Sequence, residues 1–329
     1  MPDEDWRFFG GNTHRIWILQ TFLRLRDAGY PVRLTNTLPT SGVVVVGGAS
    51  RKHLFKDFCS RNRALIVAVR ADHRPQLYAD LEVVQNDHGA DGRSIYVPHW
   101  PQPGLIPRDA DRGAELKTVS FKGHSGCLHD DFKDGAWGGF LEASGLTWQF
   151  DGVEWHGGCS RYEGCEWTDY RTVDAVLAVR NDWHDSYLTK PASKLVNAWH
   201  AGVPAIVGPD YAFLAERRSE LDFLLVHSLD EAREAVTKLK QDPALYQAMV
   251  ENGRQRAREI TSETVTARWA ELLFEVCAPL ALARSRQRLR LLHWWSRVLL
   301  YRSQHLSRGI RGRRRSRERP TPPETRSES

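Results

Sequence analysis

Short apolar runs alternate along this chain with stretches in which apolar residues recur at helical spacing. Runs without polar interruptions are typical of strands buried on both faces of a sheet. We predict strands at residues 6–9, 31–35, 42–47, 64–69, 82–84, 94–97, 117–123, 146–150, 175–180, 203–207 and 223–226. We predict helices at residues 16–25, 52–61, 242–258 and 262–277, a short helix between Ser193 and Gly202, and a capping box at 228–231 that opens another. This alternation predicts the α/β class with doubly wound parallel sheets.

A proline-rich segment at residues 98–107 interrupts the alternation. Proline removes a backbone donor and restricts the residue before it, so this segment is expected to form neither a helix nor a central strand. We interpret it as the connector between two Rossmann-like domains, at residues 1–104 and 105–283. Residues 284–329 form a separate tail.

The segment 189–208 contains a polar loop, a short helix, a glycine and an apolar strand in that order. We expect Ser193 to cap the helix and Gly202 to end it in a left-handed conformation. The free N–H groups of the helix start, with Lys190 and Lys194 nearby, are expected to attract an anion. Such a unit at the edge of a parallel sheet predicts a site for a phosphorylated ligand.

The net charge of +5 is distributed unevenly along the chain. Residues 284–319 contain thirteen arginines and one acid, and residues 286–301 can form an amphipathic helix. An arginine-rich amphipathic helix predicts contact with an anionic membrane surface. Nucleic-acid binding is one alternative, and a last helix packed on the first domain before an unordered tail is another. Because no second basic face accompanies the tail, we favour the membrane and expect no nucleic-acid partner.

The five cysteines, at positions 59, 127, 159, 165 and 277, match no common zinc pattern and no redox Cys-x-x-Cys pattern. We expect reduced thiols, as in a cytosolic protein. The sequence also contains no apolar run of membrane-spanning length and no secretory signal pattern. These features predict a cytoplasmic protein, with the tail placing it on the inner face of the membrane.

Two motifs resemble those of the group 1 glycosyltransferases, which have the GT-B fold. Residues 10–14, Gly-Gly-Asn-Thr-His, precede an amphipathic helix and a segment 27–32 that is similar to the family's "Gly-His-x-Val" strand. Residues 189–208 are similar to the family's donor loop, and residues 99–109 together with 190–206 resemble a set of bacterial proteins of this kind. The resemblance covers about residues 6–280. It implies two Rossmann-like domains that face a cleft.

The resemblance implies a metal-independent glycosyltransferase without a cofactor. Its donor is a nucleotide sugar held by the second domain, and its acceptor is a glycan or a lipid-linked group on the first. The donor diphosphate is expected to contact Lys122, Arg180, Lys190, Ser193, Lys194 and Gly11, with His124 and Ser125 as further donors and Asn197 on the ribose. His14 is the first candidate for the catalytic base and Asp72, in the run 72–74, is the second. The polar loop 182–185 is interpreted as an exposed loop or a contact for the nucleotide base.

The chain departs from the family at two positions. Thr189 and Asn197 replace the two glutamates of the family's Glu-x7-Glu pair, and the first domain is short for this fold. The alternative to an enzyme is therefore a non-catalytic module that binds carbohydrate or nucleotide. A nucleotide-dependent oxidoreductase is disfavoured because the chain lacks Gly-x-Gly-x-x-Gly followed by an acidic ribose ligand.

Overall fold

Two sheets, each with all strands parallel, form the framework of the molecule. A computed structural model describes residues 2–10, 13–48, 63–153, 155–156, 159–160, 167–285, 295–296, 299–300 and 303. The first sheet has the order β1-β2-β3-β4, with β1 (Val43–Gly47), β2 (Leu65–Val69), β3 (Leu81–Val84) and β4 (Ser94–Tyr96). The second has the order β11-β10-β9-β5-β6, with β5 (Thr118–His124), β6 (Thr147–Val153), β9 (Ala175–Ala178), β10 (Ala205–Val207) and β11 (Leu224–Leu225). Between β6 and β9, β7 (Trp155–His156) pairs antiparallel with β8 (Cys159–Ser160).

The helices surround these sheets. They are α1 (Trp6–Gly10), α2 (Gln20–Asp27), α3 (Gly135–Ala143), α4 (Ser193–Ala201), α5 (Tyr211–Ala215), α6 (Leu229–Gln241), α7 (Pro243–Ala257), α8 (Ser262–Ala270) and α9 (Ala278–Ser285). Two π-helical segments, Arg15–Leu19 and Glu271–Cys277, lead into α2 and α9. No helix in the part of the chain described above is long and apolar enough to cross a membrane.

The second sheet reverses its winding direction at β5. From β5 the chain adds β6 on one side and then crosses to place β9 on the other, where Val119 is in register with Ala175. Such a reversal creates a crevice at the carboxyl ends of the two central strands. The described strands of the first sheet instead follow one another in sequence order.

Three hydrophobic clusters fill the space between these elements. The largest takes side chains from both sheets, including Val67 and Val83 of the first and Val176 and Val207 of the second. A second cluster covers the other face of the second sheet and a third covers the other face of the first. Burial on both faces explains why the strands contain long apolar runs.

The last helices pack against the first half of the chain. Helix α8 contacts α2, and Tyr30 stacks on Phe274 with ring centroids 5.3 Å apart. Trp269 is fully buried in the cluster that the two sheets share. The chain therefore returns to its first half after completing the second sheet. The division into domains at residue 104 stays a prediction.

Most of the predicted strands are confirmed, but two are wrong. Residues 6–9 form helix α1, because the Asp5 carbonyl accepts hydrogen bonds from Phe8 and Phe9 and its carboxylate accepts a further one from Phe8 N. Residues 31–35 pair with no described strand, and Leu34 is half exposed. The predicted helix 52–61 lies outside the described residues, as do twelve of the sixteen residues 286–301.

The structure confirms that residues 98–107 form neither a helix nor a central strand, and it confirms the predicted capping box in part. Residues 98–107 form no helix, and Ile106 makes one isolated bridge to Asp169. Ser228 Oγ accepts from Glu231 N, as a cap should. The Glu231 carboxylate, however, accepts from the backbone N–H of His227 rather than that of Ser228, so the box is not reciprocal.

Candidate functional site

The carboxyl ends of β5, β9 and β10 bring three polar segments together at the point where the second sheet reverses. These segments are 122–127, 179–182 and 208–211, and helix α4 begins beside them. Gly202 ends α4 with φ of 70°, the predicted left-handed conformation. The prediction that Ser193 caps this helix is wrong. The first helical residue is Ser193 itself, so Ala192 is the N-cap residue. Alanine has no side-chain oxygen and therefore cannot cap the helix.

Lys194 places an ammonium group over the end of β5. Its Nζ lies 5.5 Å from the centroid of the Phe121 ring. A Cβ at Gly123 would lie 2.9 Å from Lys194 Cε, so the glycine provides the space that the side chain occupies. Within the described part of the chain Lys194 has no ion pair. Desolvation and the nearby Arg180 lower the pKa of Lys194 to about 8, as expected for a partly buried cation beside another cation.

Arg180 lies at the end of β9 and pairs with Asp210, which follows β10. The Arg180 Nε donates to Asp210 Oδ2, and both side chains are buried. The guanidinium also lies over the ring of Tyr187, 5.4 Å from its centroid. Burial raises the pKa of Asp210 even though Arg180 acts to lower it. Asp210 was not predicted as a site residue, because no pattern in the sequence pairs it with Arg180, thirty positions earlier.

Lys122 has a carboxylate partner of its own. Its Nζ lies 2.5 Å from Asp151 Oδ2, and the two residues are in register on adjacent strands β5 and β6. The ammonium also lies 4.9 Å from the centroid of the buried Tyr170 ring. The contact of Lys122 with a diphosphate remains a prediction, but its ammonium is already paired with the Asp151 carboxylate.

The loop before α4 is held against the ends of the first sheet. Asn86, after β3, donates its Nδ2 to the carbonyls of Leu188 and Lys190, each at 2.9 Å. The Gln85 amide donates to the Thr189 carbonyl, also at 2.9 Å. The carboxyl ends of both sheets thus face each other across this loop, as the predicted cleft requires.

An ion pair completes the contact between the two halves. Lys190 Nζ lies 2.7 Å from Asp72 Oδ2, and Gln85 donates to the other oxygen of Asp72 at 2.9 Å. Burial acts to raise the pKa of Asp72, but Lys190 and Gln85 outweigh it and the pKa is lowered. The carboxylate that was predicted as a second base is therefore engaged on both oxygens.

Left-handed backbone occurs on both sides of this ion pair. Ala71, next to Asp72, has φ of 45°, and Tyr187, three residues before Lys190, has φ of 48°. Residues other than glycine are strained in this region, and such strain is concentrated at functional sites.

The remaining predicted residues lie around this cluster. The side chain of Asn197 accepts a hydrogen bond from Gln102 N at 3.2 Å, so it contacts the connector. His124, the last residue of β5, meets the Trp167 ring edge-on, and Ser125 opens a 3-10 turn. His14 lies partly buried one turn before Trp17. Gly11 lies outside the described residues. Loop 182–185 is largely exposed, although the Trp183 indole donates to Asp131 at 3.2 Å.

His99 is a further residue of this region, and no sequence motif selected it. Its Nδ1 lies 2.6 Å from the Trp100 carbonyl oxygen, and its ring meets the Trp17 ring edge-on, with centroids 5.0 Å apart. The signal in the sequence that could have selected His99 is its place directly after the predicted strand 94–97 and Pro98. Among the described residues, no group of three or more His, Cys, Asp or Glu side chains is placed to hold a metal ion.

Comparison with known proteins identifies the fold. No protein-family model matches the chain, and neither does any curated protein. Among solved structures, sucrose-phosphate synthase from Thermosynechococcus elongatus matches with a TM-score of 0.51 and 14% identity, over 81% of this chain and 79% of that one. A point mutant of S. aureus TarM in complex with Fondaparinux, alpha-GlcNAc-glycerol and UDP matches with a TM-score of 0.51 and 8% identity, over 70% of this chain and 55% of TarM.

Proposed function

We propose that this chain, which has the GT-B glycosyltransferase fold, transfers a sugar from a nucleotide-sugar donor to a hydroxyl group. The observation that carries the proposal is the Lys194 ammonium, which lies at the reversal point of the second sheet and forms no ion pair among the described residues. Asp210, whose charge acts on it, is itself paired with Arg180. A donor diphosphate supplies an anionic partner for Lys194. The TarM structure contains UDP, which makes UDP the first probe for this site.

Transfer of the sugar leaves negative charge on the departing diphosphate, and the site must stabilise this charge. Lys194, Lys190 and Arg180 bring three cations to the start of α4, where free backbone N–H groups add a positive partial charge. We propose that these groups carry out the stabilisation without a metal ion or other cofactor. Lys190 reaches the diphosphate by exchanging its contact with Asp72.

The acceptor that we propose is a glycan or a lipid-linked group at the inner face of a membrane. The thirteen arginines of residues 284–319 favour an anionic lipid surface. Helix α9 leads directly into this segment and presents two largely exposed apolar side chains, Leu280 and Leu282, with Val276 just before it. Apolar groups beside clustered arginines are typical of proteins that lie on the membrane interface. We therefore propose a cytoplasmic enzyme that binds the membrane as a peripheral protein.

A binding module without catalytic activity is the second candidate. It is favoured by Thr189 and Asn197, which replace the family's carboxylates. In the structure the Thr189 carbonyl accepts from Gln85, and the Asn197 side chain accepts from Gln102 N. Neither residue contributes charge to a sugar site, so a chain that binds nucleotide without turnover is the specific alternative.

Calorimetric titration with UDP and other nucleoside diphosphates tests the site. We expect Lys194→Ala to weaken binding about 10- to 100-fold, since a charged hydrogen bond contributes about 1.5–3 kcal/mol. The matched control is Lys117→Ala, which removes an exposed lysine whose ammonium pairs with Glu115. Absence of binding by the wild-type chain, or equal affinities for the two variants, contradicts the proposal.

Assays with a panel of nucleotide sugars separate the two candidates. Hydrolysis or transfer by the wild-type chain that disappears in Lys194→Ala supports the enzyme. Binding of the panel without any turnover supports the module.

A further inference from the structure

His99 presents a ring nitrogen with a free lone pair where the two halves of the chain meet. We infer that this nitrogen, Nε2, is the base that takes the proton of the attacking hydroxyl group. The inference rests on the proposed transfer reaction and goes beyond the residues that the motifs select. It is carried by the tautomer, the orientation and the position of the ring.

The tautomer of His99 is set by its neighbour. The Trp100 carbonyl can only accept a hydrogen bond, so the nitrogen 2.6 Å away, Nδ1, must carry the proton. In the neutral ring Nε2 is then the acceptor. No other described group forms a hydrogen bond with Nε2. A carbonyl on Nδ1–H thus does what the buried carboxylate does in a Ser-His-Asp triad, which is to hold the imidazole in the basic tautomer.

The orientation of the ring is fixed by aromatic packing. Trp17 meets it edge-on at 5.0 Å, and the Trp17 side chain is itself buried. The next residue, Trp100, is fully buried and donates its indole N–H to Thr21 Oγ1 at 3.1 Å. The His99 ring and the neighbouring Trp100 are therefore anchored to α2 and to the π-helical segment that precedes it. A fixed imidazole loses little entropy when it accepts a proton in the transition state.

The position of His99 links the two candidate substrate sites. Asp72, the charge that acts on the ring, is bonded to Lys190 in the loop before α4. Three residues after His99, Gln102 N donates to the side chain of Asn197 on α4. The imidazole thus lies within electrostatic range of Asp72, on the segment that also contacts α4, where the proposed donor and acceptor meet.

The protonation state suits a base. Burial lowers the pKa of His99 below its usual value, and neither the Trp100 carbonyl nor Asp72, which both act to raise it, reverses this change. The ring is therefore neutral at pH 7. Asp72 is a weaker candidate, because both of its oxygens are bonded and its pKa is lowered.

The transfer step forms one bond to the anomeric carbon and breaks another. The acceptor oxygen forms the new bond, and the bond from that carbon to the phosphate oxygen breaks. Its electron pair leaves with the nucleoside diphosphate, next to Lys194. The hydroxyl proton moves to Nε2 of His99, which later releases it to solvent.

The test compares His99→Asn and His99→Gln with the wild-type chain, using UDP and the nucleotide sugar that the panel selects. Asparagine keeps an N–H for the Trp100 carbonyl but has no basic nitrogen. We expect the kcat of both variants to fall about 10²- to 10⁴-fold, as is typical for loss of a general base, while the Kd for UDP changes less than about threefold. His227→Gln, which alters an exposed histidine paired with Glu231, is the matched control and keeps the wild-type kcat.

The pH profile distinguishes a base from a structural residue. The kcat of the wild-type chain should rise with pH along an acidic limb below the usual histidine pKa, and this limb should vanish in His99→Asn. Asp72→Asn removes a negative charge and leaves Lys190 unpaired, so it should lower the pKa of His99 further and move the limb to lower pH. If His99→Asn turns over within about threefold of wild type, or if it retains the acidic limb, the inference about His99 is overturned while the proposed function stands. A wild-type chain that turns over no donor overturns the proposed function as well.

Discussion

The side chain of Lys194 can occupy its position only because residue 123 is glycine. A Cβ at this position would lie 2.9 Å from Lys194 Cε, closer than carbon atoms pack, and 3.2 Å from Nζ, so the lysine side chain would have to move. We expect Gly123→Ala to displace the ammonium and weaken UDP binding about tenfold, or about 1.4 kcal/mol, in a calorimetric titration.

The same substitution at Gly138 is the control for this prediction. A Cβ at Gly138 meets no described atom within 4 Å, and the residue lies in helix α3. Gly138→Ala should leave UDP affinity unchanged and raise stability slightly, since alanine favours a helix. Wild-type affinity in Gly123→Ala would show that Lys194 does not bind the diphosphate from this position.

The pKa of Lys194 makes anion binding depend on pH. Its pKa of about 8 in the free protein lies below the usual lysine value, so the ammonium loses its proton as the pH rises through 8. UDP affinity should therefore fall between about pH 7 and 9.5, with proton uptake on binding in the upper part of that range. Calorimetry in two buffers of different ionisation enthalpy measures both effects. Lys194→Arg should abolish the pH dependence, and a flat wild-type profile contradicts the prediction.

At the scale of elements, the loop before α4 is held in place by residues that follow strands of the first sheet. In the proposed donor complex, the Asp72 carboxylate competes with a phosphate for the Lys190 ammonium, with which it now forms an ion pair. Because both side chains are partly exposed, the pair contributes at most about 1 kcal/mol. We expect Asp72→Asn to free Lys190 and raise UDP affinity by up to about fivefold in the same titration. A loss of affinity would show that the ion pair organises the site instead of blocking it.

A buried carboxylate joins the starts of strands β5 and β9 in the second sheet. Asp174, just before β9, accepts hydrogen bonds from Arg108, Arg112 and the backbone N–H groups of Lys117 and Thr118. Burial acts to raise the pKa of Asp174, but these partners outweigh it and lower the pKa. Its stabilising contribution is therefore present above the unfolded pKa and is lost as the pH falls through the folded one.

Removing this carboxylate should be costly. We expect Asp174→Ala to reduce the free energy of unfolding in urea by about 3–5 kcal/mol, because two largely buried arginines lose their partner. Asp169→Ala is the control. It breaks a partly exposed pair with Arg171 and should cost no more than about 1 kcal/mol. Equal midpoints for the two variants would contradict the role of Asp174.

How far a feature could be predicted from the sequence depends on the range of the interactions that form it. The run 64–69 was predictable because a strand buried on both faces has few polar residues, and Gly202 because a helix end needs a left-handed residue. The prediction for residues 6–9 was wrong because a local Asp5 cap outweighs strand propensity. Asp210 and His99 were not predictable, since pairing with Arg180 and placement beside Asp72 depend on the tertiary fold.

At the scale of the whole molecule, the arginine-rich tail should decide membrane binding. Because Ala281 of α9 is buried in the core, a truncated chain should end after Ser285. We expect the full chain to sediment with vesicles of anionic lipid and the truncated chain to bind them at least about tenfold more weakly. High salt should weaken the full chain's binding, since the attraction is electrostatic. Equal partitioning of the two chains contradicts the membrane proposal.

The proposed function depends on a donor diphosphate that lies on the second sheet, between the end of β5 and the start of α4. A crystal structure of the chain with UDP is the decisive test of this position. We predict phosphate oxygens within hydrogen-bonding distance of Lys194 Nζ and of the first N–H groups of α4, with Lys190 moved away from Asp72. A diphosphate bound elsewhere, or Lys194 without contact to it, would contradict the account.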